Sequence, residues 1–350
     1  MITQVICFID AENVSLYQSR IFQSLMNTKR QLLLIINPIS GVGDKGYIEN
    51  LVKERLEPFG YNITTAYTCA GGDATRLAGK AVSENFYGVL AAGGDGTVNE
   101  TAAALCNTDT ALGIIPCGSG NGLARHLEIP IDPVRALKII AADNIVKCDY
   151  GSVNDRPFFC TFGVGFDAAV SDNFARQQRR GKLAYIKSAI SEYVKFHPQV
   201  YAVSANGHVL TEKAFLIACC NASQYGNNAY IAPDASITDG LLDITIVHAG
   251  TPLDTALVGV DLFTGYINSN TMIHTFRAPS AVIYRKEDGP AHIDGEPVRI
   301  TDTMEIKCHA KSLNIFTPTV QSEFRPIITP MENMFKDISC AFSRLFYSKK

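Results

Sequence analysis

Residues 89–100 read VLAAGGDGTVNE, and this stretch decides the fold of the chain. An apolar strand, Val89 to Ala92, leads into the turn Gly93-Gly94-Asp95-Gly96, after which a helix is predicted. Ligands bind at the carboxyl ends of strands in open parallel sheets, where glycines let the backbone approach phosphates and one carboxylate can serve Mg²⁺ or a proton. The stretch therefore predicts a phosphate-binding strand end, and the alternative is an acidic turn.

The alternation of strand and helix continues on both sides of this stretch. Upstream lie a strand at 32–37, a helix at 47–60 and a strand at 62–68, and downstream a strand at 112–118 precedes a helix that begins near Asn121. This order predicts a parallel sheet covered by helices on both faces. We therefore expect an α/β nucleotide-binding domain with a parallel sheet.

The pattern changes after Asp149, where most apolar segments are short and separated by turns. Only residues 168–196 and 251–268 look helical. This pattern predicts a β-rich, sandwich-like second domain. The expected division is an N-terminal extension (1–29), the α/β domain (30–150), the β-rich domain (151–310) and a C-terminal amphipathic tail (321–350). A strand near 311–320 is a candidate to return to the first domain, which the sequence leaves open.

The composition excludes several classes of protein. A net charge of −3 gives no overall field for nucleic acid, so we expect no nucleic-acid partner. The ten cysteines include no C-x-x-C pair, which disfavours a zinc site or a disulfide framework and favours a cytoplasmic location. No apolar run approaches the roughly 18 residues of a membrane-spanning helix.

Two further glycine-rich turns follow predicted strands: Asn37-Pro38-Ile39-Ser40-Gly41 and Pro116-Cys117-Gly118-Ser119-Gly120-Asn121-Gly122. Together with the GGDG turn they would form a nucleotide cleft at one edge of the sheet. The alternative for the last turn is a tight turn in which Asn121 caps the next helix. Residues 41–46 match G-x-G-x-x-G, but the Asn-Pro break and the missing acidic residue after the second strand argue against a dinucleotide site.

Two acidic loops stand out in the second half. Residues 234–243, DASITDGLLD, offer carboxylate and carbonyl oxygens that suit a hard cation, and the alternative is an Asp-Gly turn. Residues 292–297, HIDGEP, place two carboxylates around a glycine, and the alternative is a hairpin turn.

The ordered set NPISG, Thr68 before GGDA, GGDGTVNE, PCGSGNGLAR, GVGFDA, APDASITDGLLDI and IDGEP resembles the lipid kinases with a diacylglycerol kinase catalytic domain, which include bacterial diacylglycerol-type kinases and sphingosine kinases. The resemblance covers about residues 31 to 320. It implies an NAD kinase-like and diacylglycerol kinase-like α/β domain, a β-rich lipid-substrate domain and ATP in the cleft between them.

The resemblance also implies roles for single residues. Glu296 would be the general base for the lipid hydroxyl, and Asp95 would organise catalytic Mg²⁺ and water, although Asp95 competes for the role of base. Asp239 with the carbonyl groups of Ser236 and Leu241 would hold a structural Mg²⁺, and Asp167 would contact the substrate. The residues implied to line the ATP site are Asn37, Pro38, Ile39, Ser40, Gly41, Thr68, Gly94, Asp95, Gly96, Thr97, Val98, Asn99, Glu100 and Ser119.

A lipid acceptor requires contact with a membrane surface. The C-terminal segment MENMFKDISCAFSRLFYSKK predicts an amphipathic helix that lies in the membrane interface, so the expected contact is peripheral at the inner membrane face. The alternative is a helix docked on the protein itself or at a homodimer contact. A basic cluster, Arg176, Arg179, Arg180, Lys182 and Lys187, faces either lipid headgroups or solvent.

Two other functions compete with the lipid kinase. An NAD kinase shares GGDGT, but that interpretation gives no role to the GSGNG turn or to the DASITDG and DGEP loops. A non-catalytic lipid- or nucleotide-binding regulator would have no need of the carboxylates of Asp95, Asp239 and Glu296 together.

Overall fold

The computed structural model describes residues 30–40, 45–176, 196–320 and 322–347. Strands β1 (Arg30–Ile36), β2 (Tyr61–Tyr67), β3 (Gly88–Gly93) and β4 (Ala111–Pro116) pair in parallel in the order β2-β1-β3-β4. The accompanying helices are α1 (Gly46–Leu56), α2 (Asp73–Ser83), α3 (Asp95–Leu105), α4 (Gly122–His126) and α5 (Pro133–Ala141). The predicted α/β domain with its parallel sheet is confirmed.

Helices cover both faces of this sheet. On β1, Leu33 and Ile35 pack in a core cluster with Ala78 of α2, whereas Leu34 belongs to a second cluster with Val52 of α1. Alternate residues of a strand point to opposite faces, so both sets are buried and the strand reads as one apolar run. The carboxyl ends of the four parallel strands lie at one edge, and the three glycine-rich turns follow there.

The second domain is built from strands that pair antiparallel, and the prediction of a β-rich second domain is confirmed. Its strands are β5 (Ile145–Val153), β6 (Arg156–Phe158), β7 (Thr161–Gly165), β8 (Gln199–Ala205), β9 (His208–Cys220), β10 (Leu242–His248), β11 (Ile273–Ala278), β12 (Ser280–Arg285), β13 (Gly289–Ile293), β14 (Glu296–Ile300) and β15 (Thr303–Phe316). Three more helices are α6 (Phe166–Arg176), α7 (Pro252–Thr264) and α8 (Ile328–Tyr347).

Two long strands, β5 and β15, run through both domains. Ile315 of β15 pairs in parallel with Leu112 of β4, while Ile306 pairs with Val153 of β5 and with Ala281 of β12. The end of the chain's last strand therefore lies in the first sheet, a placement that the sequence left open. The register of β5 against β15 shifts between His309 and Leu313, and β15 continues through this shift as one strand.

The helices of the second half differ from the expected ranges. Helix α6 is described as far as Arg176, and the remainder of 168–196, with the basic residues from Arg179 to Lys187, lies outside the described residues. Helix α7 begins with a capping box between Thr251 and Asp254 and ends at Gly265, whose φ is 77°. Within the described ranges, no helix is both long enough and apolar enough to cross a membrane.

Candidate functional site

Asp95 joins two of the glycine-rich turns. It is the first residue of α3, and its Oδ1 and Oδ2 accept the backbone N–H groups of Gly122 and Asn121 at 2.7 and 2.8 Å. The turns also touch directly, because a Cβ on Gly118 would lie 2.6 Å from the Cα of Gly94. The carboxylate of Asp95 thus fixes the turn of residues 118–122 beside the end of β3.

Asn121 closes this turn rather than capping α4. Its Oδ1 accepts the N–H of Gly118 at 3.0 Å, and its Nδ2 donates to the carbonyl of Gly118 at 2.8 Å. The backbone of Asn121 is left-handed, with φ of 52°, and its side chain makes no cap bond. The N–H groups at the start of α4 are satisfied by Asp95 instead, so the interpretation of Asn121 as a side-chain cap is wrong. The Ser119 side chain stands exposed at the tip of the turn.

The first turn is tied to the same helix. The Nδ2 of Asn37 donates to the Oγ1 of Thr97 at 3.1 Å, and the Oδ1 of Asn37 accepts the N–H of Ile39 at the same distance. The hydroxyl of Ser40 donates to the carbonyl of Asn37 at 3.0 Å. Pro38 continues this turn, and Gly41 lies outside the described residues.

Two of the residues predicted to line the ATP site have other contacts. The side chain of Val98 is buried in the core, so only its backbone could face a nucleotide. Glu100 accepts the N–H groups of Gly72 and Ala74 at 2.9 and 3.2 Å, which makes it the carboxylate at the start of α2. Glu100 thus fixes the turn after Thr68, whose own N–H donates to Ile36. Gly96 and the half-buried Gly94 and Asn99 lie toward the open edge.

The loop of Asp294 attaches the second domain beside the Asp95 turn. Both oxygens of Asp294 accept backbone N–H groups, from Phe159 at 2.9 Å, Cys160 at 2.7 Å and Thr161 at 2.9 Å. Cys160 in turn packs on Gly122, where an added Cβ would lie 3.2 Å from its Sγ. Burial raises the pKa of Cys160 well above its ordinary value, and the carboxylates of Asp294 and Asp95 raise it further.

Glu296 stands at the end of this loop. Asp294 and Gly295 form the turn of the β13–β14 hairpin with φ of 50° and 84°, the left-handed pair that a type I′ turn requires. Glu296 is the first residue of β14, pairs with Ile293 and has an exposed side chain. The hairpin alternative is therefore right about the backbone, and Glu296 follows two residues after Asp294, which accepts the N–H of Cys160.

Asp167 lies in a buried polar cluster. Its Oδ2 accepts from the hydroxyl of Tyr225 at 3.0 Å and lies 2.9 Å from the Nε2 of His292. Because the N–H of Gly295 donates to the Nδ1 of His292 at 3.3 Å, the Nε2 carries the ring proton and donates to Asp167. Sequence reasoning missed His292 and Tyr225. The letters HID in 292–294 gave only a weak signal for the histidine.

The predicted cation loop surrounds a guanidinium group. The Oδ1 of Asp239 accepts the N–H of Leu241 at 3.0 Å, and its Oδ2 lies 3.9 Å from the Nη1 of Arg277. Arg277 also pairs with the buried Asp243 at 3.0 Å. Burial raises the pKa of Asp243, and Arg277 partly opposes this shift. Ser236 lies three residues before Asp239 on the same loop.

A second carboxylate, that of Asp149, holds this loop against β15. Its Oδ2 and Oδ1 accept the N–H groups of Gly240 and Lys311 at 2.6 and 2.7 Å. Over the described residues, no cluster of three or more His, Cys, Asp or Glu side chains could hold a metal. A cation here would therefore use one carboxylate with peptide carbonyl oxygens, a set of hard donors that Mg²⁺ or Ca²⁺ accepts.

Both domains of the chain match known protein families. Residues 31–153 match the family model of the diacylglycerol kinase catalytic domain, and residues 160–317 match that of the YegS C-terminal NAD kinase beta sandwich-like domain. The chain is 30% identical over 249 residues to a probable lipid kinase YegS-like protein of Chromohalobacter salexigens. This alignment covers 69% of this chain and 80% of that protein.

Two further similar proteins are named diacylglycerol kinases. A diacylglycerol kinase of Bacillus subtilis is 28% identical over 275 residues, covering 75% of this chain and 88% of its own length. The crystal structure of a diacylglycerol kinase from Bacillus anthracis aligns with a TM-score of 0.65 at 21% identity, covering 83% of this chain and 97% of that one. The last comparison bears on the fold alone.

Proposed function

This chain belongs to the family of kinases that carry a diacylglycerol kinase catalytic domain, and we propose on that premise that it transfers the γ-phosphate of ATP to a hydroxyl group of a lipid. The resemblance that the motifs indicated is thereby confirmed. The acceptor in this proposal is either diacylglycerol-like or a sphingoid base.

The observation that carries the proposal is the junction at Cys160. On one side Gly122 and Asp95 hold the turn with the exposed Ser119, and on the other side Asp294 holds the hairpin with the exposed Glu296. The turn of residues 118–122, which we propose to bind phosphate, and the hairpin that carries Glu296 are thus linked through the short segment of residues 159–161. Phosphoryl transfer requires this combination, since catalysis there depends on positioning the phosphates and on a carboxylate near the attacking hydroxyl.

In the proposed reaction Glu296 is the general base. Its carboxylate takes the proton of the lipid hydroxyl while the hydroxyl oxygen forms a bond to the γ-phosphorus. The bond between that phosphorus and the bridging oxygen breaks, and ADP leaves with the bond's electron pair. Asp95 is less suited to this role because each of its oxygens already accepts a backbone N–H.

Mg²⁺ would neutralise the charge of the phosphates when it is bound. A carboxylate has about four lone-pair sites, so Asp95 keeps capacity for a water or cation beyond its two N–H partners. We propose Asp95 for the catalytic ion, and Asp239 with the carbonyl groups of Ser236 and Leu241 for a structural one. The turns at 37–40 and 94–99, with Thr68 and Ser119, are the proposed ATP contacts.

Asp167 is the proposed contact to the head group of the acceptor. Its carboxylate is 8% exposed and bonded to His292 and Tyr225, so the acceptor would reach it through the Tyr225 side of the cluster. An ammonium group would pair with this carboxylate, whereas a glycerol hydroxyl would only donate a hydrogen bond. This difference is the point at which a sphingoid base and a diacylglycerol would be distinguished.

A lipid acceptor also requires a membrane surface, and we propose peripheral contact on the cytoplasmic side. The end of α7 lies beside the start of α8, since the N–H of Ile327 donates to the carbonyl of Thr264 at 2.7 Å, and we propose these two helices for the contact. Both carry exposed apolar side chains, which we call the apolar helix surface: Leu253, Leu257, Val260 and Phe263 on α7, and Met331, Met334, Phe335 and Ile338 on α8. The side chains beyond Ser339, including Phe342, Leu345 and Phe346, lie outside the described residues.

The test is a panel assay with labelled ATP, Mg²⁺ and mixed micelles that carry diacylglycerol, sphingosine, dihydrosphingosine, ceramide or phosphatidylglycerol. NAD serves as the soluble acceptor. We expect transfer to one lipid class and none to NAD. Transfer to NAD alone would replace the proposal with an NAD kinase, and ATP binding without transfer to any acceptor would favour a non-catalytic regulator.

A further inference from the structure

The C-terminal helix α8 contacts the glycine-rich turn through one arginine. Arg125, in α4, donates from Nε to the carbonyl of Gly120 at 2.8 Å and from Nη1 to the Oδ1 of Asn228 at 3.1 Å. Its Nη2 pairs with the Oδ2 of Asp337 on α8 at 2.9 Å. The Arg125 side chain is only 8% exposed, so this guanidinium is enclosed by these partners.

The carbonyl of Gly120 lies inside the turn that Asp95 holds from the other side. Arg125 also donates its backbone N–H to the carbonyl of Asn121 at 2.9 Å, and Gly226 packs on Gly120 with contacts of 3.3 Å from an added Cβ. The turn is therefore fixed by a carboxylate at 121–122 and by a guanidinium at 120. Ser119 lies directly between these attachments and the open cleft.

Helix α8 lies beyond residue 317, where the second family match ends. Its attachment to the body of the protein is polar: Asn333 donates to the hydroxyl of Tyr230 at 2.9 Å, and Asp337 accepts from Arg125 and from Asn228. A groove of about 660 Å³ runs beside it, lined by Arg135, Asp234 and Lys336 among others. Among the contacts described for residues 328–339, the one between Asp337 and Arg125 joins two charged groups.

We propose that Asp337 and Arg125 are positioning residues, through which the docking of α8 sets the geometry of the phosphate-binding turn. An enclosed guanidinium that loses its carboxylate is left with an uncompensated charge, and it then moves toward solvent and releases the Gly120 carbonyl. The role of the turn in holding ATP rests on the proposed function. The coupling between α8 and the turn does not.

The test compares Asp337→Asn with Glu332→Gln, a matched change on the same helix. Glu332 pairs with Arg325 at 3.6 Å, and both side chains are more than half exposed. Amide hydrogen exchange of the peptide covering residues 117–124, the dissociation constant of a fluorescent ATP analogue and the melting temperature are measured for each protein. A displaced turn can cost about tenfold or more, so we expect exchange and the dissociation constant to rise about tenfold in Asp337→Asn only.

A second variant separates positioning from simple loss of stability. In Arg125→Lys the ammonium can still pair with Asp337, but it cannot reach all three acceptors of the planar guanidinium. We expect the same increase in exchange and in the ATP dissociation constant, without the fall in melting temperature that a general loss of stability would give. Equal exchange and ATP affinity in Asp337→Asn and Glu332→Gln, with or without a lower melting temperature, would overturn the proposal. If the wild type transfers phosphate to no lipid, the proposed function fails while the exchange data still decide the coupling.

Discussion

Single carboxylates in this protein have two different tasks. Asp95, Glu100, Asp149 and Asp294 each accept at least two backbone N–H groups and so fix the position of a turn. Glu296 stands exposed at the start of β14. Since a general base must be free to approach the proton it removes, this contrast favours Glu296 over Asp95 as the base.

We predict that Glu296→Gln lowers kcat by about 10²- to 10⁴-fold, because the amide has the same shape but cannot take the proton. The ATP dissociation constant should stay within about twofold, since Glu296 acts on the acceptor. Single-turnover transfer and ATP binding check both numbers. The control is Glu305→Gln, which should keep full turnover because Glu305 is exposed on β15 and pairs with Lys307. Full turnover in Glu296→Gln would transfer the role of base to Asp95.

His126, the last residue of α4, makes the stability of the protein depend on pH. Burial lowers its pKa from 6.5 to about 4, and its Nδ1 accepts the N–H of Ser223 at 3.1 Å. Below pH 6.5 the histidine takes up a proton in the unfolded chain but not in the folded protein. Protonation therefore favours the unfolded state, and the free energy of unfolding decreases as pH falls from about 6.5 toward 4.

We predict that the wild type loses roughly 3 kcal/mol of unfolding free energy relative to His126→Asn between pH 7 and pH 4. Asparagine keeps an acceptor for Ser223 but does not titrate, so the difference between the two proteins isolates the histidine. Urea unfolding followed by circular dichroism at several pH values measures it. Parallel pH profiles would mean that the ring is protonated in the folded protein without cost.

Residue-level prediction from sequence succeeded where one short segment decides the geometry. The turn 93–96 and the Asp-Gly hairpin at 294–295 are local, so their glycines and carboxylates could be located in advance. The role of Asn121 as a side-chain cap was wrong because its partner lies within the 118–122 turn, and the contacts of Glu100 with the start of α2 were not predicted. Such choices among hydrogen-bond partners are made in tertiary packing, which residue type alone does not determine.

At the scale of elements, the loop of residues 234–243 combines an acidic cluster with the guanidinium of Arg277. The positive charge lies 3.9 Å from Asp239 Oδ2, the oxygen left free by Leu241. A cation that used this oxygen would be repelled by Arg277, since like charges at that distance interact even at a protein surface. Arg277 and a cation are therefore competitors for the same carboxylate.

We predict opposite effects of two changes in this loop. Asp239→Ala should remove the rise in melting temperature that millimolar Mg²⁺ gives, because the one side-chain ligand is lost. Arg277→Gln should lower stability without Mg²⁺, since the buried Asp243 loses its partner, and should enlarge the rise when Mg²⁺ is added. Differential scanning fluorimetry with and without Mg²⁺ measures both, and Asp302→Ala, in the half-buried bend between β14 and β15, serves as control. If Mg²⁺ changed the melting temperature equally in all three variants, the proposed Mg²⁺ site in this loop would be wrong.

The strands and helices of the first sheet could be predicted from the sequence, whereas the full length of the two long strands that run through both domains could not. The buried runs of β1, β3 and β4 and the alternation with helices sufficed for the first sheet. By contrast, the sequence indicated a strand near 311–320, whereas β15 is one strand (Thr303–Phe316) that continues through the left-handed backbone of Lys311. Strand β5 continues past position 150 into the second domain for the same reason as β15: both strands pair along their length across the division.

At the scale of the whole molecule, the apolar helix surface depends on two segments that are distant in sequence. The α8 part was expected from its amphipathic pattern, whereas α7 was recognised only as a helix, because a mostly apolar helix also suits a core. In the structure Val258 is its one buried hydrophobic residue, while Leu253 and Phe263 are 69% and 61% exposed. Exposed apolar side chains on adjacent helices are typical of an interaction surface.

We predict that the pair Phe263→Ser and Phe335→Ser weakens binding to lipid vesicles by about thirtyfold, because each exposed ring would contribute on the order of 1 kcal/mol when buried among acyl chains. Co-sedimentation with vesicles of zwitterionic and of anionic lipid measures the binding. Turnover on a short-chain soluble acceptor should stay unchanged, since neither ring lies at the catalytic junction. The control is Val209→Ser, an equally exposed apolar residue on β9.

The same variants separate a membrane from a second copy of the chain. If the apolar helix surface binds lipid, the sedimentation coefficient without vesicles is the same for wild type and the Phe263/Phe335 pair, and only vesicle binding changes. If it is instead a homodimer contact, the wild type sediments as a dimer, the pair sediments as a monomer, and vesicle binding follows the Val209→Ser control. Because α8 also holds Arg125 through Asp337, a lipid-binding result would place the membrane contact and the phosphate-binding turn at two ends of one short chain of contacts.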